Sequence, residues 1–268
     1  MVLVCLGIAL AGRETGNGRP VFWIGQTSMP GPISHKAKTD LMRTSRGFPD
    51  PRGSFFSPSP AVLGIKSPVK QMIVTLDLEG VLVPEIWIAV AEKTGIDALR
   101  RTTRDEPDYD VLMSYRLDLL TANNLKLSDI QSVIDTLAPL EGAKAFIDEL
   151  RVRTQVIILS DTFLQFATPL MRQLDWPTLF CHHLEVQDDV IVNYHLRQPD
   201  QKRCSVAAFK SLNYHVIAAG DSYNDTTMLA EADKGVLFRA PENVIEEFPQ
   251  FPAVTGYDEL LALIFESD

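Results

Sequence analysis

Two carboxylates, Asp77 and Glu79, are the residues of this chain best placed to do chemistry, because they directly follow the apolar run from Met72 to Leu76. The carboxyl end of a buried parallel strand is where an open α/β sheet places its reactive groups. Two carboxylates at this spacing suit a nucleophile beside a general acid. The pair therefore favours an enzyme over a binding module, although an Asp-x-Glu pattern by itself is common.

A second reactive segment begins where the apolar run 156–159 ends in Ser160, Asp161 and Thr162. A serine hydroxyl and backbone N–H groups at the start of a helix can together hold a phosphate oxygen. Taken alone, the segment has a simpler interpretation, in which Ser160 or Thr162 only caps the next helix. The phosphate interpretation therefore depends on the reactive groups found elsewhere in the chain.

A third segment, residues 220–225, follows the apolar run 216–219 and reads Gly-Asp-Ser-Tyr-Asn-Asp. Asp221, Asn224 and Asp225 offer the hard oxygen ligands that suit Mg²⁺, an ion that keeps waters and bridges to phosphoryl groups. The simpler alternative is a solvated turn in which Asp225 caps the following helix. Several polar groups after a glycine at a strand end favour the metal site.

From Met72 onward, short β-branched runs alternate with helical patterns. This order predicts a right-handed, doubly wound parallel sheet of the α/β class. Residues 185–196 alternate around Asp188 and Asp189, and we expect them to form an appended β-hairpin. The predicted strands are 73–76, 155–159, 215–219 and 235–238, and the predicted helices are 142–151, 162–174, 205–212 and 225–232.

Residues 85–140, between the first two predicted strands, show helical periods and no strand pattern. Ser128 is expected to cap a helix there, with Gln131 completing a capping box. An insertion after the first strand would lie above the active site as a small helical cap that excludes water and selects the substrate. The catalytic core would then comprise residues 72–84 and 141–268.

Composition limits the functions open to this chain of 268 residues. Its net charge of −10 argues against general binding to nucleic acid or to a membrane surface. Its three cysteines show no metal or redox spacing, which favours a reducing compartment such as the cytoplasm.

Residues 1–71 differ from the remainder, since they are basic and rich in proline and glycine. We expect this extension to be mostly disordered and outside the catalytic fold. It has three open interpretations: an organelle-targeting segment, an imperfect secretory signal without a charged start, or a translation start that truly lies at Met72. We favour the last of these.

Taken together, these segments resemble the haloacid dehalogenase superfamily of phosphotransferases, from Met72 to the carboxyl terminus. The resemblance implies that Asp77 is the nucleophile, Glu79 the general acid and base, and Ser160 the phosphate-binding hydroxyl. It also implies a basic residue one helix before the third segment. Lys202 is the best match for it, and Arg203 and Lys210 are weaker choices. The implied roles in that third segment are a metal ligand at Asp221, a phosphate contact at Asn224 and support of the metal by Asp225.

The similarity is closer to one branch of the superfamily, the ThrH type of phosphoserine phosphatase. Three stretches carry it, Asp-Leu-Glu-Gly-Val-Leu-Val-Pro-Glu from Asp77, Ile-Leu-Ser-Asp-Thr-Phe, and Ala-Ala-Gly-Asp-Ser-Tyr-Asn-Asp-Thr-Thr-Met. The branch implies hydrolysis of O-phosphoserine in serine biosynthesis and leaves transfer to homoserine open. Glu85 would bind the substrate ammonium and Arg116 its carboxylate, whereas without the family Arg116 is more simply a surface residue.

The implied mechanism passes through an aspartyl phosphate on Asp77. Mg²⁺ would be held by Asp77, Asp221 and the carbonyl of Glu79. Two alternatives remain open, an enzyme for another small phosphate ester and a non-catalytic, phosphate-binding regulator. A regulator that only binds phosphate would not need both the nucleophile and the general acid, so the enzyme is favoured.

Overall fold

Seven strands form one sheet in the computed structural model, which describes residues 70–103, 105–106 and 108–266. The predicted extension, residues 1–71, lies almost entirely outside the described residues, and only its last residue enters the sheet. The strands are β1 (Gln71–Leu76), β2 (Gln155–Phe163), β3 (Thr178–Gln187), β4 (Val190–His195), β5 (Tyr214–Gly220), β6 (Lys234–Phe238) and β7 (Ala253–Val254).

The strand order is β4-β3-β2-β1-β5-β6-β7, and every neighbouring pair is parallel except β3 with β4. The chain first runs outward from β1 through β2 to β3, and it later returns to the other side of β1 to form β5, β6 and β7. The order therefore reverses at β1, and such a switch point opens a crevice at the carboxyl ends of the central strands.

Nine helices accompany the sheet in the described part of the chain. They are α1 (Ile86–Thr94), α2 (Tyr109–Ala122), α3 (Leu127–Ile134), α4 (Ala143–Arg153), α5 (Leu164–Gln173), α6 (Gln201–Ser211), α7 (Thr226–Glu231), α8 (Glu242–Glu247) and α9 (Tyr257–Phe265). One buried apolar cluster joins the sheet to α1–α5 and α9, and a second joins it to α6, α7 and α8. The predicted α/β fold with a mostly parallel sheet is confirmed.

The segment between β1 and α4 holds α1, a 3-10 turn at Asp97–Arg100, α2 and α3. Its apolar side chains belong to the same buried cluster as α4 and α5. We call this segment, residues 85–140, the cap.

Strand β2 runs on to Phe163, so Thr162, predicted to start a helix, lies in the strand and α5 begins at Leu164.

Other details also differ from the sequence predictions. Helix α3 begins at Leu127, and the Asp129 carboxylate accepts the Lys126 N–H, so Ser128 is not its cap residue. The predicted hairpin is part of the main sheet, because β3 begins at Thr178 and pairs with β2 before it pairs with β4. Helix α6 starts at Gln201 and not at the predicted residue 205, and its first turn is buried.

No helix within the described ranges combines the length and the apolar character that a membrane-spanning helix needs.

Candidate active site

Asp77 lies at the switch point, directly after β1, and its N–H donates to the Ala219 carbonyl of β5 at 2.9 Å. Its Oδ1 accepts the Leu78 N–H at 2.8 Å and lies 2.9 Å from Lys202 Nζ. Burial and the nearby charge of Asp225 raise the pKa of Asp77, and Lys202 opposes that shift. A carboxylate must be ionised to act as a nucleophile. A further positive charge bound beside Asp77 would lower the pKa of Asp77 and keep it ionised.

Lys202 is the cation that contacts Asp77. It lies in the first turn of α6, is buried, and its Nζ is 2.8 Å from Asp225 Oδ1 and 3.6 Å from Asp161 Oδ2. Burial alone would lower its pKa, but the carboxylates around it raise the pKa well above the ordinary value. Of the three candidates for the basic residue, the structure thus brings Lys202 to Asp77, whereas the other two bind elsewhere. Arg203 pairs with Asp200, and Lys210 donates to the Glu231 carbonyl.

Asp221 and Asp225 approach Asp77 from the end of β5. Oxygens of these three aspartates lie within 4.8 Å of one another. Asp225 Oδ2 accepts the N–H groups of Asp221 and Ser222 at 3.0 and 3.1 Å, while its Oδ1 meets Lys202. Both oxygens of Asp225 are therefore engaged by the protein, which suits a residue that orients Asp221.

A divalent cation fits this group of carboxylates. Three buried aspartates with one lysine leave negative charge in excess, and carboxylate oxygens are the ligands that Mg²⁺ prefers. Two glycines allow the close approach. A Cβ on Gly80, whose φ is +77°, would lie 2.5 Å from Asp221 Oδ2. A Cβ on Gly220 would lie 2.3 Å from Asp225 Cγ, so neither position tolerates a side chain.

Glu79 lies in the turn after Asp77, and its Oε1 accepts the Ile86 N–H at the start of α1 at 2.8 Å. Burial and repulsion from Glu85 raise the pKa of Glu79 to about 8, against the Ile86 N–H and the charges of Arg116 and Lys202. A carboxyl group with that pKa is protonated at neutral pH and can donate a proton to a leaving oxygen.

Ser160 lies near the end of β2, is buried, and its Oγ accepts the Thr162 N–H at 3.2 Å. Neither Ser160 nor Thr162 caps α5, because that helix begins at Leu164 with Phe163 as its cap residue and no side-chain cap. Ser160 instead lines the same cavity as Asp77. Asn224 Nδ2 reaches across that cavity and donates to Asp161 Oδ2 at 3.0 Å.

Asp161 is a site residue to which the sequence analysis gave no role. Besides Asn224, it accepts from Gln201 Nε2 at 3.2 Å, and His182 Nε2 lies 3.5 Å from its Oδ1. Burial alone would raise the pKa of Asp161, but Lys202 and these hydrogen bonds hold the pKa far below its ordinary value. The sequence did contain a signal for Asp161, which is its position after Ser160 near the end of a strand. The sequence contained no signal that His182 would contact Asp161.

Arg116 is buried, with 6% of its surface exposed, so it is not the surface residue of the alternative interpretation. One terminal nitrogen donates to the Arg101 carbonyl at 2.8 Å, and its guanidinium carbon lies 4.5 Å from the centre of the Trp87 ring. Burial lowers its pKa to about 10, so it remains charged at neutral pH. Among the described residues, its Nε is the one buried side-chain nitrogen or oxygen without a hydrogen-bond partner.

A cavity of about 80 Å³ lies between the cap and the sheet. Its size suits a small molecule, and its described carboxylates outnumber its described cations, Lys202 and Arg116. The predicted site residues except Asp225, which lies behind them, all contribute to its lining. These are Asp77, Glu79, Glu85, Arg116, Ser160, Lys202, Asp221 and Asn224.

Comparisons with known proteins show which family this chain belongs to and which proteins it is similar to. The family model for haloacid dehalogenase-like hydrolases matches residues 72–233. The phosphoserine phosphatase ThrH of Pseudomonas aeruginosa is 70% identical over 189 residues, covering 70% of this chain and 92% of that protein. A phosphoserine phosphatase of Pseudomonas syringae pv. tomato is 65% identical over 204 residues, covering 76% and 86%.

The solved structures bear on the fold alone, because their sequences have diverged further. A phospho-aspartyl intermediate analogue of phosphoserine phosphatase has a TM-score of 0.62 at 19% identity, over 74% of this chain and 100% of that one. A substrate-bound phosphoserine phosphatase complex has a TM-score of 0.61 at 20% identity, over 75% and 100%.

Proposed function

This chain belongs to the haloacid dehalogenase-like hydrolases, and we propose that it is a Mg²⁺-dependent phosphoserine phosphatase that works through a phosphoryl group on Asp77. The observation that carries the proposal is the unpaired, buried Arg116 Nε in the cavity that also holds Asp77 and Lys202. A phosphoryl group at one end and a carboxylate at the other would satisfy both cations.

The phosphoryl transfer uses groups gathered at the carboxyl end of the sheet. Asp77 attacks phosphorus and forms a P–O bond while the bond to the serine oxygen breaks. Lys202, Ser160 and Asn224 hold the remaining phosphoryl oxygens and stabilise the charge that they carry. Lys202 suits this role because it already lies 2.9 Å from Asp77 Oδ1.

Glu79 manages the proton. In its neutral form it protonates the departing serine oxygen, and as a carboxylate it then removes a proton from the water that attacks phosphorus. That attack breaks the bond to Asp77 and releases phosphate. The pKa of about 8 allows one residue to serve in both steps near neutral pH.

Mg²⁺ would offset the negative charge of the phosphoryl oxygens when bound. Asp77, Asp221 and the Glu79 carbonyl would hold it, and Asp225 would orient Asp221 and Lys202 through the contacts of both its carboxylate oxygens.

Recognition of the amino acid falls to the cap. Arg116 would bind the substrate carboxylate through charge-assisted hydrogen bonds, and Glu85 would bind the ammonium. Both line the cavity, and two relatives of high identity are named phosphoserine phosphatases. We further propose that residues 85–140 act as a substrate-selecting cap on a core of residues 72–84 and 141–268.

Three finer points belong to the same proposal. Homoserine carries the same ammonium and carboxylate as serine, so its hydroxyl is suited to replace water as the phosphoryl acceptor. A phosphatase for free phosphoserine would supply serine for biosynthesis. The cysteine pattern and the small-molecule site suit a cytoplasmic enzyme.

Phosphate release by the purified chain tests the proposal. With Mg²⁺, kcat/KM should be highest for O-phosphoserine and lower for O-phosphoethanolamine, which lacks the carboxylate, and for 3-phosphooxypropanoate, which lacks the ammonium. Chelation of the metal should abolish release, and added homoserine should yield O-phosphohomoserine. Equal rates with all three esters would favour an enzyme for another small phosphate ester. Tight binding of phosphoserine without release would favour a regulator.

A further inference from the structure

The turn of the β3–β4 hairpin contains an unusual residue choice. Asp188 and Asp189 form a two-residue loop, with φ values of +48° and +68°. Loops of this kind favour glycine at the second position, because both residues must adopt the left-handed conformation. Asp189 therefore adopts a backbone conformation that glycine would adopt with less strain. This points to a role for the Asp189 side chain.

The Asp189 side chain binds the cap. Its Oδ1 accepts the Ser128 N–H at 3.0 Å, and its Oδ2 accepts the Ser128 hydroxyl at 2.5 Å. Its backbone carbonyl also accepts the Leu127 N–H at 2.9 Å. Asp188, beside it, is exposed. The hairpin tip thus holds the start of α3, just beyond the end of α2.

The same hairpin holds the opposite end of α2. The Tyr194 hydroxyl of β4 donates to the Asp110 carboxylate in the first turn of α2. The Tyr194 ring also meets the Tyr109 ring, with the centroids 6.0 Å apart, and the Tyr109 hydroxyl donates to the Asp161 carbonyl at 2.9 Å. The first turn of α2 is therefore tied both to β4 and to the edge of the active site.

Helix α2 carries Arg116 between these two attachments, and it packs against β4 and the 3-10 turn. The hairpin is itself firmly rooted, because the Gln165 side chain both accepts from and donates to the Leu184 backbone, at 3.1 and 2.7 Å. We propose that the hairpin is a two-point support for α2, and that Asp189 and Tyr194 are positioning residues that keep Arg116 directed into the cavity. Only the identity of the substrate in this proposal rests on the proposed function.

Amide hydrogen exchange of the full chain tests the support without reference to any activity. Asp189→Gly removes the contacts to Ser128 while placing the favoured residue in the turn, so the hairpin itself should not be weakened. Asp188→Gly is the matched control. Exchange in α2 and the start of α3 should accelerate about threefold to tenfold in Asp189→Gly and remain unchanged in the control. Equal exchange in the two variants would overturn the support.

Kinetics test its consequence for Arg116. Asp189→Gly should raise KM for O-phosphoserine by about threefold to tenfold, with little change in kcat, because fewer molecules hold Arg116 correctly. KM for O-phosphoethanolamine should stay nearly constant, because that ester has no carboxylate. Asp189→Asn should restore KM, since asparagine tolerates the turn and can still bond Ser128.

A second variant checks that two attachments act together. Combining Asp189→Gly with Tyr194→Phe should raise KM for O-phosphoserine by more than the product of the two single effects, because each attachment partly compensates for the other. A parallel rise for both esters, or strictly independent effects, would overturn the proposed link between the hairpin and Arg116.

Discussion

Replacement of Arg116 by alanine should reduce kcat/KM for O-phosphoserine while sparing an ester without a carboxylate. The reason is the geometry of a buried guanidinium that stacks on Trp87, bonds the Arg101 carbonyl and keeps Nε unpaired in the described structure. In the proposed complex this guanidinium faces the substrate carboxylate, and no other described cation of the cavity is placed in the cap.

The magnitude follows from the energy of the bond that is lost. A hydrogen bond between charged groups contributes about 1.5–3 kcal/mol, which corresponds to a loss of about 10-fold to 150-fold in kcat/KM. Most of it should appear as a higher KM, since Asp77 and Lys202 perform their chemistry on the sheet. Arg116→Lys should fall between the wild type and Arg116→Ala, because it keeps the charge and loses the paired donors.

The assay compares O-phosphoserine with O-phosphoethanolamine in the same preparations. Loss of the contacts with Trp87 and Arg101 would disturb the cap for both esters, so their ratio isolates the carboxylate. Thermal unfolding of each variant checks that the fold survives. If Arg116→Ala lowers kcat/KM equally for the two esters, Arg116 supports the cap or the phosphoryl group, and the amino-acid specificity loses its main support.

Four further outcomes are expected. Asp77→Asn should abolish turnover without unfolding the protein, because an amide cannot attack phosphorus; steady phosphate release by the folded variant would disprove the covalent step. Wild-type turnover of O-phosphoserine should fall above about pH 8, as Glu79 loses the proton that its raised pKa retains. Glu79→Gln should lack this alkaline decline and lose least with good leaving groups, and a pH profile that keeps the decline would exclude Glu79 as the acid. Lys202→Met should lower the free energy of unfolding without metal by about 3–5 kcal/mol, because three carboxylates lose their buried partner. Urea unfolding with and without Mg²⁺ measures this loss, and Mg²⁺ should restore part of the lost free energy. Residues 72–268 alone should retain activity, since the cavity lies within them, and a soluble but inactive truncation would give the extension a role in the site.

The fold class and the reactive strand ends could be predicted from the sequence. Apolar runs such as 73–76 and 215–219 are short, β-branched and followed by polar residues, and parallel strands bring their carboxyl ends to one edge of the sheet. The positions of Asp77, Ser160 and Asp221 near strand ends are therefore recognisable from local patterns, whereas their roles could be predicted only from the three segments taken together. The family resemblance added roles for residues whose local pattern is silent, and membership of the family is confirmed.

Contacts between distant segments were decided only by the tertiary structure. Lys202 and Arg203 are adjacent on a helix and equal in charge, so only the packing of α6 determines that Lys202 meets Asp77 while Arg203 turns to Asp200. The same holds for the Asp161 and His182 contact, whose partners come from different strands.

The cap shows most clearly the difference between what local sequence patterns predict and what tertiary contacts decide. A helical period indicates that α2 forms, but it does not tell which side of that helix is buried against another part of the chain. Arg116 is buried, and Ser128 bonds Asp189 instead of capping α3, because residues far apart in sequence fill those positions. Local patterns report the preferences of neighbouring residues, whereas burial and long-range hydrogen bonds exist only after the chain has folded.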